Sequence, residues 1–251
     1  MMCSLHGRTM DYLALYLTLD AMYRRKLLKA ASSGPEAILL LVAMSLALFA
    51  TGCKSGPTAE EQAVESYLRG AELQRQGSMR AAGDAYSDAV RLDPGYAEAY
   101  AGRGYIFYVH NNFQSAILDL NRAIALKPDL AVAYSYRGMA YEGMPNDQSA
   151  LLNLTRAIEL DPRLKEAYYR RATLFVRAGD IEAAIDDLTE VIALDPENTD
   201  YYVERAQAYA AIGDRSRAAL DLEKVIALAR DDETRAAARR LLLALQQAEP
   251  R

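Results

Sequence analysis

Tyr100-Ala101-Gly102-Arg103-Gly104 returns along the chain at a fixed interval. Residues 134–138 read YSYRG, 168–172 read YYRRA and 202–206 read YVERA, so successive tyrosines stand 34 residues apart. A period of 34 is the length of one helix-turn-helix unit, which buries its apolar face only by stacking on copies of itself. Composition agrees. The 251 residues are 51% apolar and 25% charged, without tryptophan, and strong helix formers dominate, which predicts an all-α fold.

Aligned on this period, five units follow without insertion: 63–96, 97–130, 131–164, 165–198 and 199–232. Position 8 is always small (Gly70, Gly104, Gly138, Ala172, Ala206), and position 20 is always alanine (Ala82, Ala116, Ala150, Ala184, Ala218). Small residues there let the two helices of a unit approach closely where they cross. Position 11 is large: Leu73, Phe107, Tyr141, Phe175 and Tyr209. Pro94, Pro128, Pro162 and Pro196 stand at position 32, where a missing N–H ends the second helix. The fifth unit has Arg230 instead. Gly77, Gly179 and Gly213 supply the turns between helices, and Asp180 and Asp214 are expected to cap the second helix. In the third unit the turn reads Gly143-Met144-Pro145-Asn146-Asp147, so its first helix is expected to end early. Residues 233–247, with Ala236, Leu241, Leu242 and Leu245, form an amphipathic helix suited to cap the stack.

This pattern resembles the tetratricopeptide repeat. The resemblance implies a right-handed α-solenoid of five such helix-turn-helix repeats closed by a C-terminal capping helix. It also implies a concave face lined by positions 2, 5, 9 and 12 of each first helix. The partner-binding candidates are therefore Tyr67, Glu98, Tyr105, Tyr108, Val132, Met139, Glu142, Tyr169, Thr173 and Val176. Tyrosine and methionine suit adaptable binding surfaces. The lysines and asparagines with which chaperone-binding members clamp a C-terminal carboxylate are absent from positions 5 and 9, so that activity is not expected.

Position 7 departs from the family pattern. It is Arg69, Arg103, Arg137, Arg171 and Arg205 rather than an apolar residue. A guanidinium beside a packing surface needs counter-charges, and position 23 supplies Asp119, Asn153, Asp187 and Asp221 in step. In the first unit that position is Ala85, beside Asp84. The expected arrangement is a structural ladder of Arg to Asp pairs; an arginine stripe for an anionic ligand is the competing reading.

The N-terminal region reads as an address. Arg24, Arg25, Lys26 and Lys29 precede a 13-residue apolar run, 37–49, which small residues follow; this is the order of a secretory signal. The run is short for a membrane span, which takes about 20 residues, though an uncleaved inner-membrane single-pass anchor is the alternative. Ala50-Thr51-Gly52-Cys53 resembles the lipobox of bacterial lipoproteins. That resemblance implies cleavage after Gly52, lipidation of Cys53 and, with Lys54 next, sorting to the periplasmic face of the outer membrane; the alternative is a plain signal peptide with a chance cysteine. The reading thus divides the chain into an upstream extension (1–21), the signal (22–52) and a tether (53–62), followed by the repeats, the cap and a tail (248–251). Translation is expected to begin at Met22 or Met10.

A net charge of -5 gives no basic field, so no nucleic-acid partner is expected. No enzyme, metal site or cofactor is expected either. Beyond the upstream extension the only histidine is His110, and Asp186 and Asp187 point to different sides of a helix. The reading is a membrane-anchored scaffold or adaptor binding envelope proteins or peptides; the alternative is a pilotin-like lipoprotein assisting assembly of a secretin or type IV pilus.

Overall fold

The computed structural model describes residues 57–247. The signal, Cys53 and the C-terminal tail lie outside the described residues. Among these there are eleven α-helices and no strand: α1 (Ala59–Arg75), α2 (Met79–Leu92), α3 (Ala97–Val109), α4 (Phe113–Leu126), α5 (Ala131–Gly143), α6 (Asp147–Leu160), α7 (Lys165–Ala178), α8 (Ile181–Leu194), α9 (Thr199–Ala211), α10 (Arg215–Leu228) and α11 (Asp232–Gln247). Each helix packs on its chain neighbours, and α1, α3, α5 and α7 also touch in succession. The first helices of the repeats therefore share one wall, and the second helices form the other.

The five turns within repeats close in one way. The N–H at position 16 reaches back to the carbonyl at position 11: Ser78 to Leu73 (2.9 Å), Asn112 to Phe107 (2.8 Å), Asn146 to Tyr141 (3.0 Å), Asp180 to Phe175 (2.9 Å) and Asp214 to Tyr209 (2.8 Å). This is the Schellman closure, which satisfies carbonyls left open at a helix end. It asks for a left-handed residue in between, and Gly179 supplies one at φ 82°. Asn111 takes that place in the second repeat at φ 58°, since its short polar side chain tolerates the conformation. Asp180 and Asp214 cap α8 and α10 as expected, and Asn112 and Asn146 do the same for α4 and α6. The early end expected for the first helix of the third repeat does not occur. α5 has 13 residues, as α3 and α9 do, because the Tyr141 carbonyl is satisfied by Asn146 without a glycine in the turn.

The core lies where the two helices of a repeat cross. Leu120, Leu154 and Leu188 at position 24 are fully buried, each worth about 2 kcal/mol by burial alone. They leave no room opposite. A Cβ on Gly104 would stand 2.8 Å from Leu120 Cγ, and one on Gly138 2.8 Å from Leu154 Cγ. At the C-terminal end α11 starts one residue earlier than expected, with the Asp231 carboxylate accepting from the Thr234 N–H at 2.7 Å. Ala238 packs with Tyr202 and Val225, and Leu242 and Leu245 lie against Tyr209 and Leu222. Leu241, expected in that apolar stripe, remains 41% exposed. It sits at the margin of the buried arc of α11, so only part of its side chain is covered.

Candidate protein-binding face

The position-7 arginines occupy a repeated slot. Arg103 binds Asp119 through Nε (2.6 Å) and Nη2 (2.9 Å), Arg171 binds Asp187 (2.8 and 2.7 Å), and Arg205 binds Asp221 (2.9 and 2.8 Å). Such two-point pairs fix the planar guanidinium against the carboxylate. Each cation also lies near the aromatic rings at positions 4 and 11, for example Arg171 at 6.0 Å from Tyr168 and 5.7 Å from Phe175. Three of the arginines reach the preceding repeat as well: Arg137 to Asn121 (2.6 Å), Arg171 to Thr155 (3.1 Å) and Arg205 to Thr189 (3.0 Å). The column therefore ties each of these repeats both to itself and to its neighbour.

Where the carboxylate is missing the electrostatics change sign. The Asp119, Asp187 and Asp221 carboxylates raise the pKa of their arginines through hydrogen bonds. Arg137 has only neutral amide acceptors, Asn153 at 2.7 Å and Asn121 at 2.6 Å, and burial lowers its pKa instead. In the first repeat Ala85 offers no acceptor, and Arg69 pairs with Asp88 at 3.2 Å rather than with Asp84. Ser66 and Leu73 also deny it the aromatic sandwich, and its side chain is 60% exposed.

On the opposite side of the first helices, α1, α3 and α5 line a recess of about 420 Å³, with α2 contributing Met79 and Tyr86. Its walls include Tyr67, Gln74, Tyr86, Glu98, Tyr105, Val132 and Tyr136. The rings support one another: Tyr105 and Tyr136 are 4.7 Å apart between centroids, and Tyr67 lies 5.1 Å from Tyr96 and 5.7 Å from Tyr86. Tyr86 donates to Gln74 at 2.8 Å, and Glu98 is held by Lys127 at 2.8 Å. Burial pushes the Tyr136 phenol up to about 12 and raises those of Tyr67 and Tyr105. At neutral pH these are uncharged hydroxyls on apolar rings, suited to hold an apolar side chain and a peptide carbonyl together.

A second recess of about 510 Å³ continues along α5 and α7, with Tyr108, Phe113, Met139, Glu142, Arg170 and Arg177 in its walls. Glu142 lies 3.8 Å from both arginines, which also bind Glu166 (2.6 Å) and Asp147 (3.0 Å) respectively.

The remaining candidates divide by burial. Met139 is 3% exposed, at the floor of the second recess. Thr173 turns its hydroxyl to the Tyr169 carbonyl (3.0 Å). Tyr169 donates to Glu204 at 2.6 Å, and that carboxylate raises its pKa well above the ordinary phenol value. Val176 is 47% exposed.

The family model described as "Tetratricopeptide repeat" matches residues 67–131, 148–199 and 169–234, more than half of the chain. The chain belongs to the tetratricopeptide repeat family. No curated protein matches it. Solved structures of tetratricopeptide repeat type are similar. A MamA protein has 24% identity and a TM-score of 0.55, over 70% of this chain and 95% of its own. TTC0263, a thermophilic protein of Thermus thermophilus, has 20% identity and a TM-score of 0.58, over 72% and 99%. YrrB, a TPR protein with an unusual peptide-binding site, has 22% identity and a TM-score of 0.54, over 71% and 92%. At these identities the likeness is one of fold.

Within the tetratricopeptide repeats, the binding-face reading by positions 2, 5, 9 and 12 missed part of the surface. Tyr136 and Arg170 stand at position 6 and Arg177 at position 13, yet they line the two recesses. Both positions are one helical turn from position 9 or 2 and so share its face. That spacing was the available signal.

Proposed function

We propose that this tetratricopeptide repeat protein is a membrane-anchored interaction scaffold of the bacterial envelope that binds partner proteins on its first-helix face. The observation that carries the binding half is the recess spanning α1, α3 and α5, where neutral tyrosines from three successive repeats converge. One extended peptide running across the repeats would meet Tyr67, Tyr105 and Tyr136 in turn. Anchoring rests on the order of basic, apolar and small residues that ends in Gly52-Cys53-Lys54. Several acyl chains on Cys53 would hold the protein stably, at about 0.8 kcal/mol per buried methylene.

Mass spectrometry of the mature N-terminus tests the anchor, with a lipid-modified Cys53 expected and an unmodified chain recovered from cytosol as the contrary result. Co-purification from detergent-solubilised envelopes tests the binding half. Partners captured by the natural chain should be lost with Tyr105→Lys and Tyr136→Lys. Capture undiminished by those changes contradicts the assignment of this face.

A further inference from the structure

The two ends of the repeat stack are unlike one another. In internal repeats, positions 3 and 10 of the first helix pack on the repeat before: Ala133 and Ala140 lie with Leu120, and Ala167 and Leu174 with Leu154. In α1 those positions are Glu65 and Glu72, and with Glu61 they surround Val64 and Leu68, which are 42% and 58% exposed. At the other end α11 stands where the first helix of a sixth repeat would stand. Its positions 7, 8 and 11, which in the repeats face the second helix, are Arg239, Arg240 and Leu243. Leu243 is 56% exposed, and both arginines are exposed with no ion pair within 4.0 Å among the described residues.

A polar outer face on a terminal repeat keeps a solenoid soluble, and two caps of either sign would serve that end. Opposite signs, each around exposed aliphatic side chains, do something further. We propose that α11 of one copy receives α1 of a second copy in the place of the missing second helix. Leu243 then meets Val64 and Leu68, and Arg239 and Arg240 meet Glu61 and Glu65. The contact joins two different surfaces, so it does not close on itself and extends into a head-to-tail row. Its charged rim makes it sensitive to salt, because the screening length falls from about 10 Å at 0.1 M to about 3 Å at 1 M.

Sedimentation of the full chain in density-matched non-ionic detergent tests this. The natural chain should show dimers and longer species at low salt and monomers at about 1 M salt. Glu61→Arg with Glu65→Arg should sediment as a monomer at low salt, and so should Arg239→Glu with Arg240→Glu. An equimolar mixture of these two variants should associate again, since each supplies the end that the other has reversed; this restoration also shows both to be folded. A natural chain that is monomeric at low salt, association that survives either reversal, or a mixture that stays monomeric overturns the proposal.

Discussion

Arg171 holds Asp187 with two parallel hydrogen bonds, 2.8 Å from Nε and 2.7 Å from Nη2, and the two side chains are only 18% and 5% exposed. The pair crosses from α7 to α8, and the third donor of Arg171 reaches Thr155 on α6. Removing Asp187 alone leaves a cation in a slot made for an ion pair. Asp187→Ala should cost about 3 kcal/mol in urea denaturation, whereas Arg171→Met combined with Asp187→Leu should recover most of that loss. A single variant no less stable than the double one would show that the pair is not desolvated enough to matter.

The third repeat is a natural experiment on the same slot. Arg137 has Asn153 where its neighbours have aspartate, and burial lowers its pKa. Asn153→Asp gives it a charged acceptor but gives up the amide bond to the Ser149 carbonyl at 2.8 Å. Hydrogen bonds to charged groups contribute more than neutral ones, so a net gain of about 1 kcal/mol is expected. A lowered urea midpoint would contradict the reading that Arg137 lacks a counter-charge.

Gly104 and Ala172 stand at the same position in different repeats. Helix propensity alone favours Gly104→Ala by about 1 kcal/mol. The space opposite is closed, since the new Cβ would meet Leu120 Cγ at 2.8 Å and the Ala116 carbonyl at 3.3 Å. The substitution should therefore destabilise by about 1–2 kcal/mol through overpacking. Thermal unfolding decides it: a raised Tm would mean that α3 and α4 part at little cost.

The partly buried phenols predict an alkaline limit. Tyr136 is pushed up to about 12 by burial, against about 10 for an unperturbed tyrosine. The folded chain binds this proton more tightly than the unfolded one. Its contribution is complete below about pH 10 and is lost as pH rises from about 10 towards 12. Urea midpoints at about pH 9 and pH 11 should fall less steeply in Tyr136→Phe than in the natural chain. Equal slopes would mean that the phenol is already hydrated in the fold.

Much of this architecture was legible because a solenoid repeats its constraints. Five copies of a small residue at position 8 and four prolines at position 32 each report one local demand many times over. Arginine and aspartate recurring 16 residues apart in sequence likewise meet across the helix pair. Part of what escaped notice depended on contacts between repeats. The reach of Arg171 to Thr155 joins two units, and a pattern aligned within one unit does not display it. Arg69 found Asp88 rather than Asp84: the two carboxylates stand one helical turn apart on the same face of α2, and their spacing does not say which of them the guanidinium reaches. Met139 carries a binding-surface residue type at a binding-surface position, yet is only 3% exposed. The third turn needed no glycine, since a side-chain cap from Asn146 and its own N–H closed it.

Docking of partners on the tyrosine face formed by α1, α3 and α5 is the proposal on which the rest depends. Photo-crosslinking in intact cells tests it most directly, with a benzophenone amino acid placed at Tyr105 in one variant and at Leu152, 72% exposed on α6, in another. Discrete protein adducts are expected from position 105 and none from position 152. Adducts from position 152 alone, with position 105 silent, would contradict it.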